Sequence, residues 1–124
     1  MSEIKDILSF IKEELQRIEQ RQRERPPLYR LSEGENIITV LLTENWRKLN
    51  TQFGERVAIP VLDKFGKRYT LMISPNSKLY TLLLRRLGEA IVSSHGNCNT
   101  VTLNITKIGK GLKASYEVNI VKYE

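Results

Sequence analysis

The sequence is poor in the residues that build catalytic and metal centres. It has one cysteine, Cys98, one histidine, His95, and two aspartates, Asp6 and Asp63, in 124 residues. A single cysteine excludes an internal disulfide framework, and one Cys with one His leaves too few soft ligands for a zinc finger. Two aspartates argue against a two-metal nuclease, whose ions are held by clustered carboxylates. Gly109-Lys110-Gly111 is too short for a phosphate-cradling Walker loop. His95 sits in Ser93-Ser94-His95-Gly96-Asn97 with no orienting acid at a recognisable spacing, so it reads as a loop histidine and not as a general base. Cys98, beside a strand, reads as a structural thiol. The expectation is a protein that is not an enzyme and uses no metal and no cofactor. Long apolar runs are also missing, since none approaches the ~18–20 residues that span a bilayer. The chain opens with Glu3, Lys5 and Asp6 where a signal peptide would have a basic region and then an apolar one. The expected setting is cytoplasmic, without a membrane partner.

Acids are the scarcer charge. Twenty Lys and Arg stand against fourteen Asp and Glu, a formal +6. The surplus is unevenly placed. Residues 1–25 carry six bases and six acids, whereas residues 26–124 carry fourteen bases and eight acids. The excess therefore belongs to the second segment. A basic body gathers polyanions by counterion release and steers them over a distance; ordinary solubility charge is the competing explanation.

Two segments follow from the pattern, 1–25 and 28–124. In the first, Ile4, Leu8, Ile11, Leu15 and Ile18 recur at steps of four and three, which predicts a helix with a heptad seam. Ser2 is its candidate cap, Glu3 and Asp6 suit its positive end, and Pro26-Pro27 ends it. So short a helix is marginal alone, so the stripe must be covered. Its own domain could cover it, or a second copy, as an oligomerisation seam; a membrane surface is a distant third, since the polar face is mixed in sign and not basic. Parallel copies would set Glu14 near Glu19 of the partner, which is mildly unfavourable, and the orientation stays open.

The second segment reads as strands with one helix. Ser32–Asn36 is a turn, Ile37–Leu42 a first strand, and 43–54 a polar loop holding Trp46 and Phe53. Arg56–Leu62 is a second strand, with Pro60 arguing for an edge or a bulge. Asp63–Gly66 is a hairpin turn and Lys67–Ile73 a third strand, with Tyr69, Leu71 and Ile73 alternating. Ser77 caps a helix whose buried face is Leu79, Leu82, Leu83, Leu87, Ala90 and Ile91, with Arg85 and Arg86 outward. Val101–Thr106 and Ala114–Ile120 are the last two strands. No internal repeat or low-complexity tract interrupts them.

The order β-β-β-α-β-β predicts an α+β, mainly β fold: a five-stranded OB-like Greek-key barrel with its helix between strands 3 and 4, preceded by the heptad helix. OB barrels bind oligonucleotides on strands 2 and 3 and the neighbouring loops. Here residues 45–68 hold Arg47, Lys48, Arg56, Lys64, Lys67 and Arg68 against Glu55 and Asp63, a net +4, with Trp46, Phe53 and Phe65 among them. Lys107, Lys110 and Lys113 lie between the last two strands. Aromatics stack on bases at ~1–3 kcal/mol each while Lys and Arg follow the phosphates, with no demand on sequence. Trp46 has a second reading as a lid on the core; Tyr69 and Tyr116 alternate with apolar residues and read as core.

The run Leu31-Ser-Glu-Gly-Glu-Asn36-Ile-Ile-Thr-Val-Leu41 resembles the opening of single-stranded-DNA-binding OB domains of phage and archaeal type. Gly66-Lys67-Arg68-Tyr69 and Ser74-Pro75 before a leucine-rich helix are similar too, so the resemblance covers roughly residues 28–121. It implies sequence-independent single-strand binding in replication, recombination or repair, with DNA favoured over RNA. The chain departs from the bacterial type in lacking a Gly-rich acidic C-terminal tail, and the heptad helix is not a standard part of that fold. A protein–protein adaptor and an RNA-binding module are the alternatives. The 2′-hydroxyl requires a dedicated contact that the sequence does not display.

Overall fold

The alternating segments assemble into one sheet of six strands backed by a helix. The structure, a computed structural model, describes residues 2–24 and 26–124, and the side chains of 4–18, 26–111 and 113–124. Met1 and Arg25, the ends of the first expected segment, lie outside the described residues. Helix α1 spans Ser2–Glu24, so Ser2 is its first residue and not a cap ahead of it. Strands β1 (Gly34–Leu41), β2 (Arg47–Thr51), β3 (Gly54–Leu62) and β4 (Arg68–Ile73) precede helix α2 (Lys78–Ser93). Strands β5 (Thr100–Ile108) and β6 (Ser115–Tyr123) follow, with one 3-10 turn, Gly111–Lys113, between them.

Every strand pairing is antiparallel, and β3 is the hub. Strand β4 runs along one of its edges. Along the other, β2 pairs with Gly54–Ala58 and β1 takes over at Val61 and Leu62. Strands β5 and β6 continue outward from β1. Strands β4 and β6 do not pair, so the sheet is open.

The expected five-stranded OB-like barrel is corrected on three points. There are six strands, the sheet does not close, and the helix follows the fourth strand. The extra strand is β2, inside the stretch expected to be loop. Closure fails because α2 lies against β6, where Arg86 Nε donates to the Val118 carbonyl at 2.7 Å. The outer edge of β6 is thus tied to the helix and not to a closing strand. The expectation that Arg86 is merely solvated is wrong for the same reason.

Ser77 caps α2 as expected, its hydroxyl accepting from the Tyr80 N–H at 3.2 Å. Leu79, Leu83, Leu87 and Ala90 recur at helical spacing and are buried against Ile38, Val40, Ile59, Val61, Leu71, Leu103 and Ile105. Ile91, expected on that face, is exposed. Tyr69 and Tyr116 pack against the core as expected. Tyr69 meets Tyr29 edge-on at 5.5 Å. Burial, then the Asp63 carboxylate and Tyr69, raise the Tyr29 pKa above the ordinary tyrosine value.

Pro60 sits mid-strand, between β4 and the other edge, and is not on an outer strand. Thr70, its partner on β4, gives its N–H to Pro27 and its carbonyl to Tyr29. Thr70 and Pro60 are therefore a non-hydrogen-bonded pair. The missing proline donor faces the gap where β2 has ended at Ala58 and β1 has yet to begin at Val61.

Asn36, expected in a turn, lies in β1 and is only 3% exposed. Its Oδ1 accepts from the Ser32 N–H and hydroxyl, and its Nδ2 donates to the carbonyls of Ser32, Gly34 and Ile105. One side chain thus fixes the entry of β1 against β5. Replacing it leaves buried backbone groups unpaired, so Asn36→Ala is expected to cost about 2 kcal/mol in urea unfolding. A loss below ~0.5 kcal/mol would remove Asn36 from this role.

Candidate nucleic-acid interface

Residues directly opposite each other in a sheet point to the same side. The register therefore sorts the charged candidates. Val57, Ile59 and Val61 of β3 point to α2, so Arg56, Ala58, Pro60 and Leu62 point to the other, open side. Across the ladders Arg47 stands opposite Ala58, Leu49 opposite Arg56, and Arg68 opposite Leu62. Three arginines from three neighbouring strands thus share the open side. Thr70 and Met72 of β4 and Thr39 of β1 share it with them.

The charge of this side is polarised. Over β2, β3 and β4 it carries Arg47, Arg56 and Arg68. Over β1, β5 and β6 it carries Glu35 and Glu117, with Lys122 alone as a base, among Thr39, Thr102, Asn104, Thr106 and Asn119. Thr39 and Thr102 share a hydrogen bond of 2.9 Å across β1 and β5. Asn104 Oδ1 is buried without a partner. Arg68 is tied to Glu44 of the β1–β2 connection by an ion pair, so part of its charge is already engaged.

The two exposed phenylalanines sit at opposite ends of β3. Phe53 forms the tip of the β2–β3 hairpin and is 75% exposed. Its N–H is held by the Thr51 hydroxyl, which donates to the Gly54 carbonyl at 2.8 Å. Phe65 is at the tip of the β3–β4 turn and is 84% exposed. There the Asp63 carboxylate accepts from the N–H groups of Phe65 and Lys67, both at 2.9 Å, and Gly66 supplies the left-handed residue at φ +81°. Lys64 Nζ lies 5.2 Å from the Phe65 ring centre, and Lys67 Nζ 5.3 Å from that of Tyr69. At about 3.4 Å per residue, the nine residues of β3 separate the tips by roughly 30 Å.

The other expected site residues fall elsewhere. Lys48 pairs with Val57 and points to the helix side. Lys107, Lys110 and Lys113 lie at the β5–β6 connection, with Lys110 Nζ 4.0 Å from Glu33. That connection is at the same end of the sheet as the Phe65 turn, about three strand spacings or roughly 14 Å to the side. Trp46 is half-buried on the core, and its Nε1 donates to the Leu41 carbonyl at 3.4 Å. With Leu42, Leu84, Leu87, Gly88 and Ile91 it lines a shallow depression on the α2 side. The structure thus brings Arg47, Arg56, Arg68, Phe53 and Phe65 together along β3 and leaves Trp46 and Lys48 on the opposite side. Leu49, Met72 and the Thr/Asn rows of the open side were not singled out by the sequence. Leu49 needed the β2 register, whereas Met72 and the Thr/Asn rows follow from the period-two alternation of their own strands.

Cys98 is half-buried, with its thiol 3.8 Å from the Ala90 carbonyl, and His95 lies in the exposed loop after α2 at φ +56°. Among the described residues no helix is long and apolar enough to cross a membrane. No family model, no curated protein and no solved structure matches the chain.

Proposed function

We propose that the protein binds single-stranded DNA without sequence preference, along β3 on the open side of the sheet, and associates with itself through α1. The observation that carries the first part is the line of Arg47, Arg56 and Arg68 on one uncovered face, bracketed by two exposed phenylalanines. An extended single strand offers a regular row of phosphates and unstacked bases. The arginines suit the phosphates, and Phe53 and Phe65 give the bases a platform at each end. A duplex offers the same charge but keeps its bases stacked, so it forgoes the aromatic contribution. Such a protein would serve wherever single strands are exposed, in replication, recombination or repair.

Alanine at each aromatic tests this division of labour. Phe53→Ala and Phe65→Ala are each expected to weaken binding of a labelled single-stranded oligonucleotide by roughly tenfold, a little over 1 kcal/mol, with the melting temperature unchanged. Trp46→Ala is expected to do the reverse, lowering the melting temperature and sparing the affinity of the folded protein. If neither phenylalanine changes affinity, stacking is not the mechanism. Equal competition by an RNA of the same sequence would replace DNA by single strands of either kind. No affinity at low salt would leave the basic side as a protein-binding surface.

A further inference from the structure

The seam of α1 has no cover within its own chain. Ile4, Leu8, Ile11, Leu15 and Ile18 are between 46% and 68% exposed. The steps of the seam fix the heptad: Leu8 and Leu15 occupy a, while Ile4, Ile11 and Ile18 occupy d. The flanking e positions are then Lys5, Lys12 and Glu19, and the g positions Ile7, Glu14 and Arg21.

The charge of the helix is asymmetric along its length. Residues 3–14 carry four acids and two bases, a net −2. Residues 15–24 carry three bases and two acids, a net +1. Parallel copies place like half on like half, and their one fully charged e–g register pair is position 14 with position 19, both Glu. An antiparallel copy places the acidic half on the basic half and opposes the helix dipoles.

From this charge complementarity we infer that α1 pairs with α1 of a second copy as an antiparallel two-stranded coil, centred on residue 13. This specifies the self-association proposed above and rests on it. In that register, facing positions have numbers that add to 26, and Ser2–Glu24 overlaps along its full length. Position 8 faces 18 and position 11 faces 15, so each central layer pairs one Leu with one Ile. Position 5, a lysine, flanks position 19, a glutamate, at both ends of the coil, two residues or about 3 Å off level. The weak point is the middle, where Lys12 and Glu14 each approach their own copy. Glu14 is already paired in its own helix with Arg17, at 3.2 Å. The interface is closed by a two-fold axis, so it stops at two chains. The coil is about 35 Å long at 1.5 Å per residue. The two sheets leave from its opposite ends, so only a strand long enough to reach both gains from divalent binding.

Spin labels on the outer face of α1 test the orientation. A single cysteine is placed at Asp6, Glu13 or Gln20, all f positions, in a Cys98→Ser background, and interchain distances are measured by pulsed electron resonance on the intact protein without nucleic acid. The expected result is a short distance from Glu13→Cys. Asp6→Cys and Gln20→Cys should each show a longer one, offset along the axis by about 21 Å. The mass by light scattering should be twice the 14.4 kDa of the chain. Three equal distances would establish a parallel coil and overturn the orientation while keeping self-association. A mass above two chains would overturn the count. A monomer with no interchain signal would overturn self-association as well, and none of these three results touches the DNA-binding proposal.

Discussion

Glutamine at Arg47, Arg56 and Arg68 together is expected to weaken single-strand binding by roughly 100-fold at moderate salt. About 1 kcal/mol per lost phosphate contact gives that factor, because 1.4 kcal/mol is tenfold. The salt dependence carries the sharper signature. Each contact to a single strand contributes about 0.7 to the slope of log K against log salt, so the triple variant should lose about 2 from that slope. Arg68→Gln alone should have the smallest effect of the three, because Arg68 is already paired with Glu44. A control removes the same charge elsewhere. Lys48, Lys78 and Arg85 are exposed and lie on the α2 side of the sheet, away from its open side. Their triple glutamine variant should bind within a few-fold of the unmodified protein. If the two triple variants weaken binding equally, net charge and not the arginine line is responsible.

Leu83→Ala is expected to have the largest effect on stability, about 3–4 kcal/mol by denaturant titration. Leu83 is fully buried at the middle of α2, where truncation removes packing and leaves a cavity that the sheet cannot fill. Val92, on the same helix but 75% exposed, should change stability by less than ~0.5 kcal/mol when cut to alanine. Because α2 covers the side of the sheet away from the arginines, Leu83→Ala measured well below its unfolding transition should still bind a single strand with unchanged affinity. A loss under ~1 kcal/mol would mean that α2 does not close this core.

Much of the fold was legible because five of the strands alternate apolar residues on one side. Val57, Ile59 and Val61, or Val101, Leu103 and Ile105, announce a buried face at period two. Strand β2 announces nothing. Arg47-Lys48-Leu49-Asn50-Thr51 buries almost none of its surface, and it is a strand because β3 offers it a ladder. Missing it made a six-stranded sheet resemble a five-stranded order. The barrel was then an inference from order alone, and order does not state whether the outer strands meet. Pro60 argued for an edge or a bulge, and β3 is neither at that point; the gap between β2 and β1 that accommodates the missing donor is a property of three strands at once.

The candidate site was legible in composition and not in geometry. The basic and aromatic residues of 45–68 were apparent, but their faces depend on register. Arg47 and Lys48 are neighbours in sequence and point to opposite sides. Trp46 has polar flanks and still folds onto the core, because the chain turns there and its indole nitrogen reaches the Leu41 carbonyl. Phe65 was the easier case, since a tight turn between Asp63 and Gly66 gives its ring nothing to be buried against.

The most direct measurement is a map of backbone amide chemical shifts during titration with a single-stranded oligonucleotide. Single-strand binding along β3 should move the amides of Arg47, Phe53, Arg56, Phe65 and Arg68 and their neighbours on β2, β3 and β4, with α2 and the outer part of β6 unmoved. Shifts centred on α2 and Trp46, or no shifts at low salt, would contradict it.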